Sequence, residues 1–292
     1  MTTFSVIIPH YNSLETLARA INSVPQYDNI EVIVIDNSPN PINESDIKNV
    51  SRHYRLYYSS PMKGAGCARN KGLEVSKNDY LLFLDADDYF TEQLHNILDN
   101  FEKCGYSGQD IIFFRARSIY SHNSLPAQRE SGYMKWFDKY QSYQSKNNLD
   151  AIRFYYFVPW GKFYRRLFIK EHNITFDEVP ASNDIMFTTK AAVNSINVKV
   201  DNNILYVVTV TDNSLTKTKN SRNIRSRFLV YIDHNNYLKK HGYKKYCIDL
   251  IRPLKNLYSV SLNDFLWGIR QCFKYKANLF DAFYKFYGNI LL

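Results

Sequence analysis

The sequence predicts an α/β fold in which a mostly parallel sheet is flanked by helices. The first third of the chain alternates short apolar runs with polar or amphipathic segments, a pattern typical of β-α-β units. Two of these runs, 32–35 and 80–84, are apolar without interruption, as strands are when helices cover both faces of a parallel sheet.

Polar residues follow three of the predicted strands. They form the groups 9–12, 36–38 and 85–88, which come after the first, second and fourth strands. In parallel sheets covered by helices, ligands bind beyond the carboxyl ends of the strands. We therefore expect these three groups to converge on one site.

Apolar periodicity and helix-start signals assign the remaining elements. The stretch 121–148 is polar, aromatic and irregular, and we interpret it as a mobile loop or an insertion over the site. Strands are predicted at 4–8, 30–35, 56–59, 80–84 and 111–115, and helices at 14–24, 67–75 and 185–193, with a helical pattern from 222 onward.

The length and composition narrow the class of protein to which the chain can belong. A chain of 292 residues can bury a sizeable core. It has no leader-like N-terminus and no apolar run near the ~20 residues of a spanning helix, so we expect a cytoplasmic protein. Its net charge of +9 favours a polyanionic neighbour such as nucleic acid, an anionic membrane or a phosphate-bearing substrate. The cysteines lack the spacing of a zinc site, and we expect free thiols in a reducing compartment at Cys67, Cys104, Cys247 and Cys272.

Three carboxylates, Asp85, Asp87 and Asp88, fall within four positions at the end of an apolar strand. Their mutual repulsion costs stability unless a cation or hydrogen bonds offset it. Mg²⁺ or Mn²⁺ would do so, because such an ion uses one or two protein carboxylates and completes its shell with water and phosphate oxygens. Alternatively, one aspartate caps a helix after Tyr89-Phe90 while the others are solvated.

The segment Gly64-Ala65-Gly66-Cys67-Ala68-Arg69 is only superficially similar to a dinucleotide fingerprint. Arg69 stands at the third glycine position and the segment does not follow the first strand, which argues against a Rossmann dehydrogenase. A helix N-terminus beside Lys63, Arg69 and Lys71 still favours a phosphate or a polar base edge. The alternative is an ordinary loop-to-helix turn.

Taken together, four segments resemble the family 2 glycosyltransferases of the GT-A fold, which include many bacterial capsule, O-antigen, lipopolysaccharide and hyaluronan-type sugar transferases. The segments are 5–12, 31–38, 64–72 and 84–88, the last similar to the family's D-x-D metal motif, and their order and spacing agree. The resemblance is strong over 4–90 and weaker onward to about 218.

The resemblance implies a domain organisation. A GT-A catalytic domain would span 1–221, with a Rossmann-like nucleotide-sugar-binding half at 1–100 and an acceptor half at 101–221. A helical C-terminal region would follow at 222–292.

The resemblance also implies a nucleotide site. Pro9, Tyr11 and Asp36 would line the nucleobase pocket, with Asp36 accepting the uracil N3 proton. Arg69 would lie near the base or the phosphates, and Asp85 near the ribose.

A metal is implied at the same motif. Asp87, with Asp88 assisting, would hold Mn²⁺ or Mg²⁺ that bridges the diphosphate and stabilises the leaving group as a Lewis acid.

Residues 158–166 and 176–187 resemble the acceptor half of the family, in which a Glu-Asp pair usually opens a helix. The pair here is Asn183-Asp184, a departure at its first position. In inverting members the aspartate is the general base, which implies that role for Asp184. An N-cap role for Asp184 is the alternative.

Two further positions in the acceptor half carry less specific signals. Trp160 and Lys162 either shape the sugar or acceptor subsite, or pack locally with the lysine at the surface.

Residues 211–216 resemble a late family loop that often carries a basic residue before its serine. None stands there, although Lys217 and Lys219 follow, and no third metal ligand is identified.

Apolar residues near the C-terminus recur at spacings close to one helix face, accompanied by basic residues. One or two basic amphipathic helices could lie on an anionic bilayer that presents a lipid-linked acceptor, or could dock onto the catalytic domain or a second subunit. The apolar residues are Leu262, Leu266, Ile269, Phe273, Phe280, Phe283, Tyr287 and Ile290, and the basic ones are Arg270, Lys274, Lys276 and Lys285.

We therefore expect a metal-dependent glycosyltransferase of bacterial surface polysaccharide biosynthesis. It would transfer a hexosyl or N-acetylhexosaminyl group to a hydroxyl of a growing glycan or lipid-linked glycan, with UDP-sugar and inversion implied by the resemblance. A nucleotidyltransferase usually needs a glycine- and lysine-rich loop where His10-Tyr11-Asn12 stands. A catalytically idle nucleotide-sugar-binding protein is another alternative. A nucleic-acid binder would not explain aspartates at strand ends, so no nucleic-acid partner is expected.

Overall fold

The structure is a computed structural model in which residues 1–59, 64–211 and 220–279 are described. Several positions named above lie outside these residues. They are Lys63, the loop residues 212–216 with Lys217 and Lys219, and the C-terminal Phe280, Phe283, Lys285, Tyr287 and Ile290.

Within the described residues the chain alternates strands and helices and ends in helices. The strands are β1 (Phe4–His10), β2 (Ile30–Asp36), β3 (Arg55–Tyr58), β4 (Tyr80–Phe83), β5 (Tyr89–Phe90), β6 (Ile111–Tyr120), β7 (Lys162–Arg165) and β8 (Val198–Val210). The helices are α1 (Leu14–Asn22), α2 (Gly64–Val75), α3 (Gln93–Asp99), α4 (Ser131–Ser142), α5 (Lys146–Tyr155), α6 (Arg166–Glu171), α7 (Ile185–Asn194), α8 (Ser221–Lys240), α9 (Ile251–Tyr258) and α10 (Leu262–Lys274).

The strands form one sheet in the order β3-β2-β1-β4-β7-β6-β8-β5. Strands β3, β2, β1 and β4 are parallel, with His10 opposite Asp36 at the ends of β1 and β2. Strand β7 runs antiparallel to both β4 and β6, whereas β8 is parallel to β6 and antiparallel to β5. The predicted α/β fold with a mostly parallel sheet is confirmed, and each antiparallel pair includes β7 or β8.

The interpretation of 121–148 as an irregular loop is wrong for Ser131–Ser142, which forms α4. Tyr133, Phe137 and Tyr140 follow one another at three- and four-residue spacings and so lie on one helix face. Phe137 is buried in the main core and the two tyrosines pack against it. Polar residues stand between these aromatic residues in the sequence, so the helical periodicity was not recognised.

A helix does follow Tyr89-Phe90, but its N-cap position is occupied by Glu92 and not by an aspartate. Tyr89 and Phe90 form β5 and pair with β8, and α3 begins at Gln93. The pairing turns the chain that follows the carboxylates towards the far edge of the sheet.

The C-terminal helices have a core of their own, formed by Phe228, Ile232, Leu254, Leu257 and neighbouring residues of α8–α10. Helix α8 also packs on α7, where the Thr189 hydroxyl contacts the His234 Nδ1 at 2.8 Å. The boundary at 221/222 stays a prediction. The region beyond it is attached to the acceptor half.

Two further sequence expectations bear on the fold. The four cysteines all lie within the described residues, and none of them forms a disulfide. Across 1–59, 64–211 and 220–279, no helix has both the length and the apolar character needed to cross a membrane.

Candidate active site

The carboxyl ends of β1 and β2 are joined by buried hydrogen bonds. The His10 Nδ1 lies 3.0 Å from Asp36 Oδ1, and Asp36 also accepts from the Ser38 and Ile42 amides at 3.0 and 2.9 Å. Burial acts to raise the pKa of Asp36, but the bonds from Ser38, Ile42 and His10 outweigh it and the pKa is lowered. The Asp36 carboxylate therefore stabilises the loop after β2 in its ionised form.

The three residues predicted to line the nucleobase pocket differ in accessibility. Tyr11 is 51 % exposed just after β1, whereas Asp36 is 1 % exposed and both of its oxygens accept hydrogen bonds within the chain. Pro9 lies opposite Ile35 and is partly exposed. The Tyr11 ring is open for stacking against a base. The contact between uracil and Asp36 stays a prediction, and it would have to compete with the bonds already present.

Arg69 of α2 joins the loop after β4 to the loop before α7. Its Nη2 donates to Asp85 Oδ1 at 2.6 Å and its Nη1 donates to Asn183 Oδ1 at 2.9 Å. The residue is 6 % exposed. Burial acts to lower the pKa of Arg69, but the carboxylates of Asp85 and Asp184 outweigh it and the pKa is raised. A permanent cation therefore stands between the aspartates that follow β4 and the start of α7.

Asp87 presents its side chain to solvent. Its carbonyl accepts from the Arg19 Nη2 at 2.5 Å, and the same guanidinium donates to the Thr209 hydroxyl at 3.0 Å. The hydrogen bond to the Asp87 carboxylate that acts to lower its pKa comes from its own backbone amide. Desolvation and then the charge of Asp85 raise the pKa of Asp87, and Arg129 and Arg19 partly oppose this shift. Arg19 thus fixes the backbone while the carboxylate stays free to bind a cation.

Asp88 faces the opposite way, into the protein. It is 3 % exposed, and its two oxygens accept from the Tyr206 hydroxyl at 2.8 Å and the Thr209 amide at 2.7 Å. Burial, followed by the charges of Asp87 and Asp85, raises its pKa well above the usual value. This geometry does not support the metal role predicted for Asp88. Its carboxyl group instead attaches the aspartate loop to β8.

Tyr206 organises this loop and was missed by the sequence reasoning. Its hydroxyl accepts from the Asp85 amide at 3.0 Å while donating to Asp88, and its ring stacks on Trp160 with centroids 5.0 Å apart and 8° between planes. The signal that could have located it is the apolar run 204–208, which resembles 80–84 and is buried from 205 onward.

Trp160 and Lys162 are both buried. Trp160 is 4 % exposed and Lys162 is 2 % exposed. The Lys162 amine donates to the Tyr156 carbonyl at 2.9 Å and to the Val158 carbonyl, and lies 3.7 Å from the centre of the Tyr156 ring. Burial lowers its pKa well below the usual value, although Asp184 opposes the shift. The surface-lysine interpretation of Lys162 is wrong, because the buried amine stabilises the loop before β7. The sugar or acceptor subsite role of Trp160 and Lys162 stays a prediction.

Asp184 occupies the N-cap position of α7, but its side chain makes no capping hydrogen bond. The N-cap alternative therefore does not account for the carboxylate. Burial raises its pKa, as does the charge of Asp85, while the cations of Arg69 and Lys162 act in the opposite direction. The general-base role of Asp184 stays a prediction, for which a raised pKa is favourable.

The loop that carries Asp184 is fixed onto α2. Asn70 donates to the Phe176 carbonyl at 2.9 Å and accepts from the Phe176 amide at 2.8 Å. Phe176 also stacks on Phe187 of α7, with ring centres 3.9 Å apart. A Cβ at Gly66 would lie 2.0 Å from the Asp177 carbonyl oxygen. The helix that carries Arg69 and the loop that carries Asp184 therefore hold each other in register.

The carboxylates at the end of β4 fit a hard divalent cation. Asp87 is free, and Asp85 has one oxygen that is not bonded to Arg69. Across the described ranges no group of three or more His, Cys, Asp or Glu residues could hold a metal. Mg²⁺ and Mn²⁺ sites with one or two carboxylates are completed by water and phosphate oxygens. Asp85 and Asp87 satisfy that requirement in the presence of a diphosphate.

Comparison with known families agrees with this geometry. The model of the family described as "Glycosyl transferase family 2" matches residues 5–172, which is more than half of the chain. The chain belongs to glycosyl transferase family 2. The match includes β1, the aspartates after β4 and Arg69, but ends before Asp184.

Several proteins are similar to this family 2 chain. The poly(ribitol-phosphate) beta-N-acetylglucosaminyltransferase TarP of Staphylococcus aureus (strain N315) is 28% identical over 238 residues, which cover 76% of this chain and 68% of TarP. An uncharacterized glycosyltransferase of Haemophilus influenzae is 34% identical over 110 residues, so the alignment spans 34% of this chain and 44% of that protein.

A solved structure supports the fold of this family 2 chain. The crystal structure of S. aureus TarS 1-349 in complex with UDP-GlcNAc aligns with a TM-score of 0.63 and 20% identity, covering 89% of this chain and 74% of that one. At this identity the likeness shows the fold. The GT-A expectation is confirmed.

The close contact at Gly66 gives a prediction for this family 2 chain. Gly66→Ala should lower the free energy of unfolding by about 1–3 kcal/mol, because the methyl group would push the Asp177 carbonyl away from α2. Turnover should fall with it, since Asp184 lies on the displaced loop. Chemical denaturation and steady-state kinetics would measure the two effects.

Gly132 provides the matched control, since it also lies in a helix but has no atom within 4 Å of a built Cβ. Gly132→Ala should stabilise α4 by about 0.5–1 kcal/mol through helix propensity. An equal effect of the two substitutions would contradict the packing account.

Arg69 gives a second prediction, on pH dependence. The Arg69 cation lowers the pKa of Asp184, so Arg69→Gln should raise that pKa further. A general base must be ionised, and the acidic limb of the kcat–pH profile should therefore move to higher pH. Arg69→Lys retains the charge and should leave the limb closer to that of the wild type. A limb that moves to lower pH, or not at all, in Arg69→Gln would exclude this electrostatic role.

Proposed function

We propose that this chain is a glycosyltransferase that transfers one sugar from a nucleotide-sugar, most simply a UDP-sugar, to a hydroxyl of a growing glycan. The observation that carries the proposal is the bridge made by Arg69. One buried guanidinium contacts Asp85 at 2.6 Å and Asn183 at 2.9 Å. The donor-side aspartates and the base at the start of α7 thereby belong to one network of charges.

The donor would bind along the carboxyl ends of β1, β2 and β4. The exposed ring of Tyr11 is available for the base, and Asp85 and Asp87 are available for Mg²⁺ or Mn²⁺. When bound, such an ion neutralises charge on the departing diphosphate. The chain's own contribution is to fix the aspartate loop through Arg19, Asp88 and Tyr206, so the carboxylates need no rearrangement on binding.

Asp184 would act on the acceptor. Its carboxylate removes the proton of the acceptor hydroxyl as that oxygen forms its bond to the anomeric carbon and the bond to the diphosphate breaks. A single displacement of this kind inverts the anomeric configuration. Because residue 183 is Asn and not Glu, Arg69 donates to a neutral side chain at this position. Asp184 therefore has one negative charge fewer beside it than it would have in a Glu-Asp pair.

The names of the relatives support the choice of substrates. TarP and TarS are described as poly(ribitol-phosphate) beta-N-acetylglucosaminyltransferases, and a TarS structure contains UDP-GlcNAc. We therefore propose an N-acetylhexosaminyl or hexosyl donor and a role in the biosynthesis of a bacterial surface glycan. The reaction would be cytoplasmic, with the enzyme held peripherally at the inner face of the membrane when the acceptor is a lipid-linked glycan.

The proposal is tested by measuring the release of nucleoside diphosphate from UDP-, GDP-, CDP- and dTDP-sugars, with and without Mn²⁺, in the presence of bacterial glycan acceptors. We expect acceptor-dependent release from a UDP-sugar that requires the metal. Binding of a nucleotide-sugar without turnover on any acceptor would favour an idle binding protein. Nucleotide transfer from a triphosphate would favour a nucleotidyltransferase.

A further inference from the structure

The net positive charge of the chain comes from its C-terminal region. Residues 222–292 contain 13 of the 37 lysines and arginines but only 4 of the 28 acidic residues, which accounts for the whole net charge of +9. The preceding 221 residues are neutral overall. The excess charge therefore lies outside the residues that contain Arg69 and the aspartates after β4, and it favours a polyanionic partner for the C-terminal region.

Helix α10 has a fixed inner face. Asp264 is 3 % exposed and accepts from the Ser221 hydroxyl at 2.6 Å, and it forms an ion pair with Arg225 of α8. A Cβ at Gly268 would lie 2.6 Å from a Leu257 methyl carbon, so α9 and α10 are in close contact there. These contacts set the rotation of α10 about its axis. Its opposite face is consequently set as well.

The outer face of α10 is apolar and exposed. Leu262, Leu266 and Phe273 are 60 %, 45 % and 80 % exposed, and at 100° per residue they fall within a narrow arc of the helix. Arg270 and Lys274, both exposed, adjoin this arc. The sequence predicted that Ile269 belongs to the same apolar face. It does not lie on the exposed part of that face, because it packs against the core of the C-terminal helices.

We propose that the outer face of α10 binds an anionic bilayer surface. Leucine and phenylalanine side chains would enter the boundary between headgroups and acyl chains, while Arg270 and Lys274 would remain at the level of the lipid phosphates. The region's charge complements an anionic surface. A second copy of this chain is a poorer occupant, because a two-fold interface would bring the same basic residues face to face.

This surface gives the proposed transferase a place where a lipid-linked acceptor is presented. Helix α8 lies between α10 and α7, and α7 begins next to Asp184. The role of this surface in presenting an acceptor rests on the proposed function, whereas its binding to an anionic bilayer does not. Vesicle binding can be measured without donor or acceptor, so a failure here is distinguishable from an absence of transferase activity.

The test is co-sedimentation of the full chain with vesicles of phosphatidylcholine alone or mixed with phosphatidylglycerol. We expect binding to the anionic vesicles only, reduced by added salt. The double variants Leu266→Asn/Phe273→Asn and Arg270→Gln/Lys274→Gln should each weaken binding about tenfold or more.

Matched controls come from exposed residues of the catalytic region. Leu125→Asn/Ile196→Asn removes apolar side chains that are 59 % and 87 % exposed, and Lys77→Gln/Lys103→Gln removes two exposed cations. Neither control should alter vesicle binding.

Three results would overturn the proposal. The wild type could fail to bind anionic vesicles, or the α10 variants could bind as tightly as the wild type. Thirdly, the α10 variants could change the mass of the protein in solution while vesicle binding stays the same, which would assign the face to a second copy.

Discussion

Asp184→Asn is expected to lower kcat about 100- to 10,000-fold while leaving donor affinity unchanged, because the amide cannot accept the proton of the acceptor hydroxyl. The substitution should not unfold the chain. Burial raises the pKa of Asp184 and so disfavours its charged form, and a neutral amide removes that cost. Lost turnover combined with retained or increased thermal stability is the specific signature. Steady-state kinetics, donor titration and thermal unfolding would measure it.

Asp177→Asn is the matched control for this experiment. Asp177 lies on the same loop and burial raises its pKa too, but it has no place in the proposed reaction. Its substitution should retain kcat. If Asp184→Asn kept near-normal turnover, the residue would be a helix-start residue without a role as base, and the proposed mechanism would be wrong.

Asp87→Ala should reduce metal-dependent turnover by at least about 100-fold, since a metal ion stabilises charge on a leaving group by several kcal/mol. The free energy of unfolding should change by only about 0.5 kcal/mol or less. Asp87 is exposed, and the hydrogen bond to its carboxylate comes from its own backbone amide, so no distant residue loses a partner. Metal titration of turnover and urea denaturation test the two halves of this prediction.

Asp88→Ala provides the contrast at the neighbouring position. It removes the acceptor for both Tyr206 and Thr209, which should cost about 1–3 kcal/mol of stability because buried donors lose their partners. If Asp88→Ala were neutral for stability while Asp87→Ala destabilised the chain, the two carboxylates would have been assigned the wrong way round.

The sequence was sufficient for the parts of the fold that depend on local pattern. Strands β1, β2 and β4 and helices α2 and α7 follow directly from apolar runs and helix-start signals. The meeting of β1 and β2 was also predictable, because parallel strands bring residues such as His10 and Asp36 to one edge.

The separate roles of Asp87 and Asp88 could not be predicted. Both residues are aspartates at adjacent positions, so the local sequence does not distinguish their surroundings. Asp88 is set apart by its hydrogen bond from Tyr206, which is 118 positions further along the chain. Long-range pairing with β8 decides which side chain turns inward. A pattern confined to 85–88 contains no information about that partner.

The burial of Lys162 likewise could not be predicted from the local sequence. Lysines are rarely buried unless paired, so the sequence favoured a surface position or a subsite. The burial depends on carbonyl groups of Tyr156 and Val158 that converge on the amine. Gly161, at φ +68°, makes the turn that brings them there, and a Cβ at this position would lie 2.3 Å from the Tyr156 hydroxyl.

The central claim is that the aspartates after β4 bind a nucleoside diphosphate through a divalent metal. Thermal unfolding of the wild-type chain with UDP, GDP, CDP or dTDP, each with and without Mn²⁺, tests it most directly. A nucleotide at ~100 times its Kd should add about 2.7 kcal/mol of stability. We predict this stabilisation for UDP in the presence of Mn²⁺ and little effect without the metal. A metal-independent response, or none with any of the four nucleotides, would contradict the account.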